Sequence, residues 1–142
     1  MWGLFFSVIA GAAMSVQGVM NTKLSESVGL YESNVFVQGT AFLLSAVAAL
    51  IMGGGGFGSI QSVEKVYLFG GVIGLVITIT VMLGIKSLGP SVAISAILIS
   101  QLSAAALIEG FGWLGAEKTA FGWAKALGIA LMTGGMLLIK GR

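Results

Sequence analysis

Five continuous apolar stretches constrain this chain more than any other feature: Trp2–Asn21, Asn34–Met52, Tyr67–Ile85, Ser91–Phe111 and Phe121–Ile139. Crossing a hydrocarbon core of ~30 Å takes about 20 residues of helix, and each stretch is near that length. Lipid offers no partner to a backbone N–H or C=O, so a spanning segment must be a helix or part of a closed barrel. The runs are unbroken rather than alternating, which is not a strand pattern. The expected fold class is therefore all-α: a polytopic membrane protein, a five-transmembrane-helix bundle, with residues 1–142 as one domain and no internal repeat.

Composition supports this and narrows function. Residues are 57% hydrophobic and only 8% charged, where a soluble domain of this size needs roughly a quarter charged. The net charge of +2 is scattered, which gives no footprint for nucleic acid. With no Cys and no His, thiolate and imidazole metal sites and the usual nucleophile–base pairs are excluded. No enzyme activity and no cofactor are expected. The first stretch, MWGLFFSVIAGAAMSVQGVM, lacks a basic start and is too long for a cleaved signal, so it is read as a retained helix.

The connectors fit the same plan. TKLSESVGLYES joins the first two helices, and GGGGFGSIQSVEK is a flexible loop after the second. KSLGPS is a tight turn whose Pro90 is placed to start the fourth helix, and WLGAEKTA precedes the fifth. Trp2, Tyr31, Tyr67, Trp113 and Trp123 fall near helix ends, as an aromatic belt requires. Five spans put the ends on opposite sides. Lys65, Lys118 and Lys125 then face one side, and Lys23, Lys86, Lys140 and Arg142 the other. Three against four is no positive-inside bias. Two readings stay open: one weakly biased orientation, or insertion in both orientations with antiparallel pairing.

Helices associate in lipid through small residues, since lipid tails are as apolar as Leu. Ser7, Gly11 and Ser15, the pair Gly70 and Gly74, and Ala126, Ala130 and Gly134 form such stripes. Polar groups at depth are rarer and more informative. Gln17 and Asn21 share one face of the first helix, and Gln38 lies about a turn into the second on the same side of the membrane. In the fourth helix Ile97, Gln101, Ala105 and Glu109 form an i, i+4 stripe, with Gln101 near mid-membrane and Glu109 towards the opposite surface. The amides either bond between helices or line a cavity and bind a substrate. Glu109 either reaches the headgroups or is a titratable cavity group that exchanges a proton for a cationic substrate. Lys125 is expected to snorkel. The hydroxyls of Thr40, Thr78, Thr80, Ser95, Ser100 and Ser103 more often bond their own backbone.

These residues carry a resemblance. QGVMNTKLSESVG looks like the Q-x-x-x-N-x-x-L pattern of the YdcZ-like bacterial inner-membrane proteins, five-helix members of the drug/metabolite transporter superfamily. The segment from LGIKSLGPS to GGMLLI resembles the C-terminal part of an EamA-type repeat: short turn, long helix, acidic loop, Gly-rich last helix. By that resemblance Gln17 and Asn21 match the first-helix amides, and Gln101 a polar position where EamA repeats often have proline. Glu109 matches an acidic residue before an FG segment, and Glu117 the acidic loop position, one residue late because of Ala116. The small multidrug resistance proteins rely on a first-helix glutamate that this chain lacks, so their proton-coupled mechanism would need Glu109 as its coupling carboxylate. The resemblance implies a multi-pass protein of the bacterial inner membrane, one EamA-like repeat. It would act as half of a small-molecule transporter, paired with an antiparallel copy or a five-helix homologue. A passive channel, or a structural or regulatory membrane subunit, is the alternative. The expected partners are the lipid bilayer, a small-molecule substrate and that second chain.

Overall fold

A computed structural model describes residues 2–141. The helices are α1 (Trp2–Val28), α2 (Leu30–Met52), α3 (Gly70–Leu88), α4 (Pro90–Phe111) and α5 (Trp123–Lys140). Short 3₁₀ turns occupy Phe57–Ser62, Lys65–Phe69 and Trp113–Gly115. There is no strand among the described residues. Five helical spans, α3 counted with the 3₁₀ turn before it, are long and apolar enough to cross a membrane, so the all-α, five-span expectation holds. Arg142, counted above with the cations of one side, lies outside the described residues. The chain forms two compact units, one reaching Leu83 and the other starting at Gly84.

In the first unit α1 and α2 make a helical hairpin. The first helix was expected to end at Asn21 and the second to start at Asn34; instead only Gly29 interrupts them. The polar segment between stays helical because its side chains work locally. Lys23 pairs with Glu26 at 2.9 Å, Ser25 donates to the Thr22 carbonyl at 2.7 Å, and Glu32 sits in the first turn of α2, where the helix dipole favours an anion. At 27 residues α1 is about 40 Å long and outruns the hydrocarbon core. Gly29 turns the chain with φ 103° and ψ 156°, a backbone region open essentially to glycine alone. Its N–H bonds the Ser25 carbonyl and its own carbonyl accepts from Ser33 N–H, both at 3.1 Å.

The α3–α4 turn repeats this device in the second unit. Gly89, with φ 77° and ψ 161°, bonds back to the Ile85 carbonyl and forward from Ala93 N–H. Pro90 then opens α4, where its missing N–H is no loss. The third helix was expected over Tyr67–Ile85. The residues to Phe69 form a 3₁₀ turn and the α-helix runs on to Leu88, because only Gly89 supplies the break. α5 starts at Trp123 rather than Phe121, after an extended Gly122.

What is buried inverts the pattern of a soluble protein. Asn21, Thr22, Ser25, Ser33 and Asn34 are buried, with Met82, while Leu44, Leu50, Phe42 and Leu138 are wide open. Apolar side chains facing outward are satisfied by lipid, so close packing and polar contacts are left to hold helices together. Hydroxyls mostly bond their own helix, as expected: Thr40 donates to the Phe36 carbonyl, Thr80 to Val76 and Ser103 to Ile99. Of the small-residue stripes, Gly74 comes against the Gln38 amide, whereas Gly11 and Gly134 leave open space.

Candidate functional site

The polar seam of the first unit is built by the α1–α2 hairpin. Reversal at Gly29 sets Asn21 beside Ser33, whose hydroxyl lies 3.2 Å from the Asn21 carbonyl and 3.7 Å from Met82 Sδ on α3. Thr22 and Ser25 spend their protons on the carbonyls of Gly18 and Thr22. Asn34 follows Ser33 at the same level of α2. It is 4% exposed, and its Oδ1 has no hydrogen-bond partner among the described residues. Some four residues further along α2, Gln38 Nε2 donates to Thr78 Oγ1 of α3 at 3.3 Å, and Thr78 donates on to the Gly74 carbonyl at 2.6 Å.

Each residue singled out from sequence can now be placed. Asn21 is buried in the seam. Gln38 is half-buried and ties α2 to α3, so it makes the interhelical bond that was one of its two readings. Gln17, one turn before Asn21, is exposed and lines an open groove along α1 together with Asn21, Ile9, Ala13 and Val16. Gln101 and Glu109 belong to the second unit. Gln101 is exposed on α4. Eight residues separate it from Glu109, about 12 Å of helix, so they do not form one site.

Glu109 stands two residues from the end of α4. Its Oε2 accepts from Lys125 Nζ at 2.6 Å and from Thr119 Oγ1 at 3.1 Å, and Lys125 also reaches Thr119 at 3.2 Å. The loop after α4 doubles back to make this possible: Gly112 N–H caps the Ile108 carbonyl, and Thr119 N–H bonds the Glu109 carbonyl. α4 and α5 then pack together with Ala106 buried at 4% exposure. Lys125, expected to snorkel alone, is instead held by the carboxylate across from it. The pair is about half exposed and sits beside the stacked rings of Phe111 and Trp113, 4.9 Å apart.

Ser33 and Asn34, by sequence a loop residue and a helix start, belong to the seam as well. Their signal was available: Thr22 and Ser25 before Gly29, and Ser33 and Asn34 after it, are polar residues at comparable distances from a single glycine. A hairpin folded there must bring them together.

Lipid-facing apolar helices around a buried polar seam define a polytopic α-helical membrane protein. A family model described as "Putative inner membrane exporter, YdcZ" matches residues 2–138. The chain belongs to that family, and it is a multi-pass inner-membrane protein with a transporter-like role. No curated protein and no solved structure matches it.

Proposed function

We propose that the chain is one half of a small-molecule transporter of the drug/metabolite superfamily, working by alternating access as an antiparallel dimer or with a five-helix homologue. The observation that carries this reading is Asn34: a nearly buried amide whose oxygen has no partner among the described residues, next in sequence to Ser33, which contacts the buried Asn21. Polar groups are expensive inside a membrane protein and are retained where something completes them. A substrate's N–H or O–H is the group that Asn34 Oδ1 lacks. Gln17 and Gln101, exposed on their helices, are the amides that a second copy would bring towards the same lining. The balanced lysines on the two sides support insertion in both orientations.

The test is flux in liposomes reconstituted with the full chain, against a panel of guanidinium, quaternary ammonium and amino-acid substrates. The proposal expects saturable, exchange-type flux that falls steeply in Asn34→Leu and Asn21→Leu. Conductive leak instead would make the protein a channel. No flux with any substrate, or a single orientation with monomers only, would reject the transporter half.

A further inference from the structure

We infer that the cleft between α4 and α5 is a specific seat for a phospholipid with a primary-ammonium headgroup, of the phosphatidylethanolamine kind, its acyl chain in the cleft and its headgroup on Glu109 and Lys125. The cleft has a volume of about 210 Å³ and apolar walls from Leu102, Ala105, Gly128 and Ile129, with the ion pair at its mouth. From Leu102 to Glu109 it follows about 10 Å of helix, a length along which an acyl chain lies. The space beside Gly128 is free: a Cβ there would meet nothing within 4 Å.

The mouth lies at headgroup depth. Glu109 is at the last turn of α4 and Lys125 in the first turn of α5, and exposed Trp113 and Trp123 flank them, the residues that settle at a membrane–water interface. The hydrogen bonds already made leave a complementary remainder. Among the described residues Glu109 uses only Oε2, for both Lys125 and Thr119, which leaves Oε1 open there. Lys125 spends two N–H groups, on Glu109 and Thr119, and has three. One carboxylate oxygen and one ammonium N–H thus stand side by side. A phosphate takes the N–H and a primary ammonium takes the oxygen, both as charge-assisted bonds. A choline headgroup has no N–H to give. An anionic headgroup without the ammonium sets its charge against Glu109.

Native mass spectrometry of the full chain in mild detergent tests this, with phosphatidylethanolamine, phosphatidylcholine and phosphatidylglycerol of identical acyl chains added at equal concentration. One phosphatidylethanolamine should be retained about tenfold more tightly than either of the others, the value of one charge-assisted hydrogen bond. Glu109→Gln should erase the preference over phosphatidylcholine, and Gly128→Leu, which fills the cleft without touching a charge, should remove the bound lipid. An unaltered thermal melt of each variant without added lipid shows that it is folded. Equal binding of the ethanolamine and choline lipids overturns the inference, as does a preference that survives Glu109→Gln. Disulfide dimers formed by Gly128→Cys in this otherwise cysteine-free chain would place a second copy in the cleft and overturn it as well.

Discussion

Replacing Asn34 with leucine separates a structural from a functional role for the seam, because the two effects have opposite signs. Asn34 is 4% exposed and its Oδ1 makes no hydrogen bond among the described residues. A buried acceptor left unpaired costs about 1–3 kcal/mol, whereas an apolar group of similar shape carries no such penalty. Leucine keeps the branching and the number of side-chain heavy atoms of asparagine, though its methyl groups are bulkier. Asn34→Leu should therefore raise stability, by about 1–2 kcal/mol if most of the penalty is recovered. Ser33→Ala next to it is the contrasting control: it removes a made contact to the Asn21 carbonyl and should cost about 0.6 kcal/mol, the average for an interhelical bond in a membrane. Equilibrium unfolding in bicelles measures both, and flux in liposomes is read on the same preparations. A more stable Asn34→Leu protein with lost flux is the outcome expected of a site held open for a ligand. A loss of 1 kcal/mol or more would show that the amide is already bonded in the resting protein, and the reasoning would fail. Greater stability with full flux would leave the amide outside the transport path.

Other substitutions test other links. Gly29→Ala and Gly89→Ala should each cost about 1–3 kcal/mol in the same unfolding assay, from backbone strain at positive φ. Gly89 is the cleaner case, since a Cβ there meets nothing, while at Gly29 it displaces the Glu32 carboxylate. Gln38→Leu and Thr78→Val should each lose about 0.6 kcal/mol, and the double variant little more than one of them, because they share a single bond. Ala106→Leu, crowding a residue 4% exposed where α4 meets α5, should destabilise by about 1–3 kcal/mol. Glu109→Gln should leave substrate flux in liposomes intact, since Oε2 is already held by Lys125 and Thr119; a substrate-driven pH change that is lost in this variant would make Glu109 the coupling carboxylate.

Much of the fold was legible because the bilayer imposes a coarse rule. Unbroken apolar runs of span length have one viable outcome for their backbone groups, a helix, so helix number and approximate position follow from composition. Helix ends were less legible. TKLSESV reads as loop by polarity, yet it continues α1, because its hydroxyls and the Lys23–Glu26 pair make a helix as good a home for polar residues as water-facing coil. The site was legible in kind only. Asn21 and Gln38 were picked out as polar residues at depth. Asn34, with the one buried acceptor lacking a partner among the described residues, reads from sequence as no more than the start of a span.

Sequence alone determined that this chain is helical and spans a membrane five times, since hydrocarbon penalises each unsatisfied backbone group wherever it sits. Only the tertiary structure decided which of its polar groups meet. Ser33 faces the Asn21 carbonyl because a single glycine turns the chain at 29, Gln38 reaches Thr78 where α2 comes beside α3, and Lys125 reaches Glu109 because the loop after Phe111 folds back. Hydrogen bonds depend on separations of a few tenths of an ångström, and periodicity along one helix carries no information about the rotation of its neighbour.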